Sequence, residues 1–316
     1  MELESQTSSQ RKRKLPSWLR RLLAIFLCLL LLLAVATGSI WWYLHPTIDH
    51  ERGLVYGERN GRDLTFDVLQ PQEANGRGVL FLVSGSWKSH PDTIRPWIVA
   101  PLLRRGYTIF AVCHVSQPEV TIGNTVDDIH RAVRHIRHHA QRWDIDPDNL
   151  GISGGSSGGH LSLMIATRGR PGDPDAEEAV ERESSEVQAA AVFFPVTDLL
   201  NLGDSTQNPG DGGPPIDYVE GFGPGADHLP TWKGIGRELS PIDHVTEKLP
   251  PVLIYHGDAD TLVPVDQSTR FVARAREVGA ESIELVVLPG KPHGWIGMIG
   301  DMRHFARWYD RWLLVE

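Results

Sequence analysis

The sequence predicts an α/β fold, a mostly parallel, doubly wound sheet, preceded by one amino-terminal transmembrane helix. Three observations carry this expectation. From residue 60 onward, short apolar runs alternate with helix-length amphipathic stretches, the rhythm of strand–helix–strand units. Residues 79–83 and 108–112 are continuous apolar runs, as strands buried on both faces require. Residues 22–44 carry no charged side chain and follow a basic cluster.

That cluster comprises Arg11, Lys12, Arg13, Lys14, Arg20 and Arg21. The apolar segment behind it, at about 1.5 Å per residue, reaches ~34 Å, enough to cross a bilayer core. Trp41, Trp42 and Tyr43 close it where an interfacial aromatic belt sits. Basic residues before the span favour a cytoplasmic tail over 1–21, a signal anchor over 22–44 and an extracytoplasmic domain over 45–316. The competing reading is a signal peptide cleaved after Ala34-Val35-Ala36, with 22–33 as its apolar region. The apolar character resumes past that site, which favours the anchor.

Leu64, Phe66 and Val68 alternate with polar residues, as an antiparallel outer strand does. Residues 97–105 read as a helix between the two buried strands, and 125–143 as a long helix. Leu150 and Ile152 mark the next strand, and 160–167 the helix behind it. Residues 189–194 form a further strand. Strands at 251–255 and 283–288 flank a helix at 265–278, and a helix at 302–314 closes the chain.

Two stretches interrupt the rhythm. Residues 168–186 are rich in proline, glycine and acids (Asp173, Asp175, Glu177, Glu178, Glu181, Glu183) and read as a solvated loop with a surface helix. Residues 200–249 form a longer insertion at a position suited to a lid. Its Tyr218, Phe222, Leu229 and Trp232 either line a substrate pocket or pin the insertion down.

The formal net charge is −9; residues 1–21, with six basic and two acidic side chains, make +4 of it and leave −13 on the rest. So acidic a domain argues against a nucleic-acid partner. Cys28 lies in the apolar segment and Cys113 at a strand end, so the fold needs no disulfide. His130, His135, His138 and His139 share a helix with Arg131, Arg134, Arg137 and Arg142. That much positive charge opposes a metal ion, and the helix reads as a solvated face. Asp258 and Asp260 fall short of a calcium loop's ligand count. No metal or cofactor is expected.

The chemistry concentrates downstream. Residues 154–160 read Gly-Gly-Ser-Ser-Gly-Gly-His between a strand and a helix, the setting of a G-x-S-x-G nucleophile elbow. Three registers overlap, centred on Ser153, Ser156 and Ser157. Ser153 follows too soon after the turn Asp146-Pro147-Asp148, and Ser156 has a strand before it and a helix just after. Ser157 is the rival, one residue on. The strand at 251–255 runs into His256-Gly257-Asp258-Ala259-Asp260, and the strand at 283–288 into a loop carrying His293. In a parallel sheet these loops leave from one edge, so a serine, a carboxylate and a histidine meet there in the chain order of α/β hydrolases. Spacing leaves both Asp258 and Asp260 open as the carboxylate.

Together the Gly154–Leu161 motif, the 256–260 motif with Val263-Pro264, and His293-Gly294-Trp295 resemble the esterase/prolyl-oligopeptidase-like group of the α/β-hydrolase superfamily. The likeness is to the bacterial feruloyl- and acetyl-esterase type, over about residues 60–315. The resemblance implies Ser156 as nucleophile, Asp260 as acid and His293 as base. Relatives commonly carry His-Gly-Gly-Gly-Trp after the first parallel strand, where this chain has Val83-Ser84-Gly85-Ser86-Trp87. Backbone N–H groups of Gly85 or Ser86, with that of Ser157, are the expected oxyanion donors. Trp87 joins Tyr218, Phe222 and Trp232 as a pocket candidate. The implied activity is carboxylic-ester hydrolysis on a small-molecule ester or acylated saccharide. The alternatives are a prolyl-oligopeptidase-type peptidase, for whose β-propeller the chain has no room, and a non-catalytic binding protein of the same fold.

Overall fold

In the computed structural model, residues 16–314 are described; the basic residues 11–14 lie outside them. The chain divides into two units, Met1–His45 and Pro46–Glu316.

In the first unit, helix α1 spans Ser17–Leu44 and is long and apolar enough to cross a membrane. Its one hydroxyl-bearing threonine, Thr37, donates back to Leu33 O at 2.9 Å, so the group is satisfied within the helix, as a lipid environment demands. The helix stops before Pro46, which disfavours helical geometry in the residue preceding it.

The second unit is built on an eight-stranded sheet of order β1-β2-β4-β3-β5-β6-β7-β8. Its strands are β1 (Ile48–Arg59), β2 (Arg62–Pro71), β3 (Gly78–Leu82), β4 (Thr108–Val112), β5 (Leu150–Gly155), β6 (Ala189–Phe193), β7 (Val252–Gly257) and β8 (Ile283–Leu288). β2 runs antiparallel to β1 and β4, and every pair from β4 to β8 is parallel. The chain passes from β3 to β4 on one side and then crosses to β5 on the other. β3 and β5 therefore lie side by side at the point where the strand order reverses, the usual ligand crevice of such sheets.

Helices cover both faces, as the doubly wound expectation requires. On one side α3 (Ile122–His138), α4 (Ser157–Arg168), α5 (Leu229–Glu238) and α6 (Asp266–Glu277) bury Ile129, Val133, Leu161, Ile165, Trp232 and Phe271. On the other, α2 (Ala100–Leu103) and α7 (Met298–Leu313) bury Leu102, Leu103, Phe305 and Tyr309.

Several sequence expectations need correction. β1 was not expected: it is an edge strand with one buried residue, Tyr56, so it carries no apolar alternation. Its signal was the turn Asn60-Gly61, both at positive φ (53° and 74°), the type I′ geometry that closes two-residue hairpins. The helix expected over 97–105 is a 3₁₀ turn at Pro96–Ile98 followed by the single turn of α2, each opened by a proline. α3 begins at Ile122, earlier than expected, because Thr121 Oγ1 accepts the Asn124 N–H at 3.1 Å and caps the helix.

The acidic stretch 168–186 contains one 3₁₀ turn, Ala179–Arg182, and no surface helix. Nor is it merely solvated. Arg131 donates to Glu181 and Glu178, both at 2.7 Å, Arg134 donates to Glu181 at 2.8 Å, and His130 Nδ1 lies 2.9 Å from Ser185 Oγ. The histidine- and arginine-rich helix read as a solvated face is instead covered by this segment: His130, Arg134 and Arg137 are buried. The two charge runs of opposite sign are complementary surfaces of one interface.

Candidate active site

β5 ends at Gly155 and α4 starts at Ser157; the residue between, Ser156, sits at φ 54°, ψ −122°. Side chains rarely adopt that conformation, and here the surroundings enforce it. Ser156 N–H donates to Phe193 O at 3.0 Å, and His160 N–H donates to Ser156 O at 2.8 Å. The turn is tight enough to exclude Cβ atoms. One on Gly154 would lie 2.5 Å from the Gly158 carbonyl, and one on Gly158 would lie 2.9 Å from Leu82 O.

The three serines of the motif have separate surroundings. Ser153 lies within β5, where its hydroxyl donates to Ala191 O at 2.8 Å. Ser157 is buried, its Oγ 3.2 Å from Ser84 Oγ. Ser156 Oγ lies 3.0 Å from His293 Nε2. His293 Nδ1 lies 2.7 Å from Asp260 Oδ2. A carboxylate only accepts, so Nδ1 carries the imidazole proton and Nε2 is left to accept from the serine hydroxyl. The ring of Phe194, itself at φ 32°, lies with its centroid 4.5 Å from that of His293.

Asp260 is buried, and its Oδ1 accepts the N–H groups of Leu262 and Val263 at 3.0 and 2.9 Å. Burial by itself would raise its pKa. Hydrogen bonds from His256 and His293 and from the Val263 N–H outweigh this and hold the carboxyl well below the usual range, so it is ionised. His256 is wholly buried between Ser268 Oγ and Val263 O, both at 2.7 Å, with Nε2 3.5 Å from Asp260 Oδ2. Asp258, the other carboxylate that spacing left open, accepts the Gly290 N–H at 2.6 Å, a bond that braces the loop carrying His293.

The loop after β3 corrects another expectation. Gly85 N–H donates to Lys88 O and Lys88 N–H donates to Gly85 O, both at 2.9 Å, with Ser86 and Trp87 at φ 54° and 53° between them. This is a closed two-residue turn, and it consumes the Gly85 N–H. Of the expected donors, those it leaves open are the backbone N–H of Ser86 and that of Ser157, the first residue of α4, where helical N–H groups have no intrahelical partner. The turn is pinned from three sides. Tyr218 Oη lies 3.1 Å from Ser86 Oγ, Gln117 Nε2 donates to Ser86 O at 3.3 Å, and Trp87 Nε1 donates to His160 Nδ1 at 3.0 Å.

Two cavities open on Ser156. The larger, about 550 Å³, is walled chiefly by Phe81, Ile98, Phe193, Phe194, Met298 and Met302. The smaller, about 40 Å³, is bounded by Ser86, Trp87, Ser157, Tyr218, Leu262 and Val263 among others. Trp87 and Tyr218 thus meet the smaller one. Phe222 and Trp232, pocket candidates that the sequence left open between lining a pocket and pinning the insertion, border neither: both are buried, with ring centroids 4.9 Å apart, and Phe222 packs on Trp87 at 5.7 Å. They anchor the insertion. Sequence reading missed Met298, Met302 and His256. The first two precede or open the stretch read as the last helix, and His256 stood inside a motif that had already been singled out.

Residues 66–274 match the model of the BD-FAE family. The chain is 28% identical over 265 residues to the probable carboxylic ester hydrolase LipM of Mycobacterium tuberculosis, covering 80% of this chain and 58% of LipM. It therefore spans less than two thirds of the length of that curated relative. Among solved structures it superposes with a TM-score of 0.58 on the thermophilic esterase Est2 of Thermogutta terrifontis, at 27% identity, over 80% of this chain and 84% of that one. A truncated carbohydrate esterase from gut microbiota gives a TM-score of 0.66 at 22% identity, over 83% of this chain and 96% of that one. The fold is that of the α/β hydrolases.

Proposed function

Since this chain belongs to the BD-FAE family, we propose that it is a serine hydrolase cleaving carboxylic esters through an acyl-enzyme on Ser156. The observation that carries the reading is the unbroken run of hydrogen bonds from Ser156 through His293 to the ionised Asp260. Ser156 Oγ attacks the ester carbonyl carbon while its proton passes to His293 Nε2. Asp260 holds the tautomer and offsets the imidazolium charge. The carbonyl oxygen, now anionic, accepts from the N–H groups of Ser86 and Ser157. Collapse expels the alcohol, which takes the proton from His293. Water then attacks the acyl-enzyme with the same histidine as base, releasing the carboxylic acid and restoring the serine.

The unequal cavities support an ester with one compact and one bulky, largely apolar substituent. Activity on p-nitrophenyl esters beside an X-Pro anilide tests the class. Ester turnover with an inert anilide is expected, and the reverse favours the peptidase. Met298→Trp, which narrows the large cavity, is expected to lower kcat/KM for a bulky ester by about 10- to 100-fold while ethyl acetate, small enough not to need that cavity, stays within about threefold. Equal losses on both esters would dissociate that cavity from substrate binding.

The length and apolar character of α1, with the basic cluster before it, support a single-pass anchor with the amino terminus in the cytoplasm and the catalytic unit outside. The protein is then expected to resist alkaline carbonate extraction and to be cut by protease added to intact spheroplasts. A soluble exported form starting at Thr37 would establish cleavage after Ala36 in place of the anchor.

A further inference from the structure

We infer that Ser84, His114 and the side chain of Ser157 form a side-chain tie that sets the spacing of the two oxyanion donors. The inference rests on the esterase reading above and adds positioning residues to it. The two donors stand on different elements: Ser86 in the loop after β3, Ser157 at the start of α4. The β3–β5 ladder ends at the pair Phe81 and Ser153. Beyond it, no strand pairing holds the Ser86 loop against the elbow.

Side chains supply the missing link. Ser157 Oγ lies 3.2 Å from Ser84 Oγ, and Ser84 Oγ lies 2.9 Å from His114 Nε2. His114 Nδ1 lies 2.8 Å from Val115 O. His114 follows β4, the strand flanking β3 on its other side. The ends of three neighbouring strands, β4, β3 and β5, are thereby joined at the edge where the site lies.

The proton order along the tie follows from its last partner. A carbonyl oxygen only accepts, so His114 Nδ1 carries the proton and its bare Nε2 accepts from the Ser84 hydroxyl. Ser84 Oγ is then left to accept from the Ser157 hydroxyl. Every proton points from the elbow toward His114, and the Ser157 side chain, one residue past the nucleophile, is held away from the reacting carbon. Burial pushes the His114 imidazole down to about 4, against a smaller upward pull from the Val115 carbonyl, so the neutral ring this order needs is the form present at neutral pH. The same low basicity, and a carbonyl where the triad has a carboxylate, separate Ser84–His114 from a second nucleophilic pair. Gly158 lets the connected segments close up, since a Cβ there would lie 2.9 Å from Leu82 O and 3.4 Å from Ser84 O.

A tie of this kind acts on the transition state, because a displaced donor weakens the oxyanion more than the neutral carbonyl. The test compares Ser84→Ala, Ser157→Ala, the double variant and Ser84→Thr in the full chain, reading kcat and KM on p-nitrophenyl acetate and inhibition by an alkylboronic acid. Each alanine variant is expected to lower kcat by about 5- to 20-fold with KM within about twofold, and to weaken the boronate in parallel. The double variant should lose no more than the worse single one, because either change cuts the same tie. Ser84→Thr, which keeps the hydroxyl, should recover most of kcat. Losses that multiply in the double variant, kcat within twofold of the parent in both singles, or a boronate affinity that does not follow kcat would overturn the tie. If Ser84→Ala does not fold, Ser157→Ala and Ser84→Thr decide by the same readouts. An active, fluorophosphonate-reactive parent with unaffected variants sinks only this inference; an inert parent sinks the esterase reading and this inference with it.

Discussion

Ser156→Ala is expected to abolish ester turnover, lowering kcat by about 10⁵- to 10⁶-fold, and to leave the thermal transition close to that of the parent. The size of the effect follows from what the variant removes. Without Oγ there is no acyl-enzyme, and only the donors and cavities remain to act on a direct attack by water. The fold is spared because the residue's structural work is done by its backbone: its N–H binds Phe193 O, its carbonyl receives the His160 N–H, and alanine keeps both. Ser153→Ala loses one buried hydroxyl bond to Ala191 O, a stability effect of about 1 kcal/mol that leaves the reacting atoms untouched. Ser157→Ala keeps its backbone donor and is expected to lose no more than the about 5- to 20-fold that the severed Ser84 contact accounts for. A dead Ser157→Ala beside an active Ser156→Ala would move the nucleophile one residue along.

Asp260→Asn is expected to lower kcat by about 10³- to 10⁴-fold. An asparagine can turn its amide N–H toward His293 Nδ1, which forces the proton onto Nε2 and takes away the acceptor for the Ser156 hydroxyl. Asp258→Asn keeps the oxygen that receives the Gly290 N–H and is expected to stay within about tenfold of the parent. The reverse ranking would assign the acid to Asp258. Asp260 also carries a pH signature. Its native pKa lies below the unfolded value, so its ionised form stabilises the fold above about pH 4, and that contribution is lost as the pH falls through the lower native value. The stability gap between parent and Asp260→Asn should therefore narrow as the solution is acidified, which denaturant titrations at several pH values measure.

The central strands were legible because burial on both faces leaves little choice of residue type: β4 coincides with the run read at 108–112 and is buried along its whole length. An edge strand such as β1 has no such constraint. The order of serine, acid and histidine was legible because a parallel sheet sends successive loops to one edge. Which N–H groups of the loop after β3 are free was not, because that depends on two non-glycine residues at positive φ, Ser86 and Trp87, held there by Tyr218, Gln117 and His160 from distant segments. Phe222 and Trp232 were open between pocket and core for a similar reason: only the packing against Trp87 decides. Arg131 and Arg134 looked solvated because their partners, Glu178 and Glu181, lie some 47 to 50 residues away in sequence.

The most direct test of nucleophilic ester hydrolysis at Ser156 is to label the full-length protein with a fluorophosphonate, with and without excess p-nitrophenyl acetate, and to locate the adduct by peptide mass spectrometry. One phosphonyl group is expected, on Ser156, formed more slowly when the ester is present. An adduct on Ser84, Ser153 or Ser157, or a protein that hydrolyses the ester while remaining unlabelled, would contradict it.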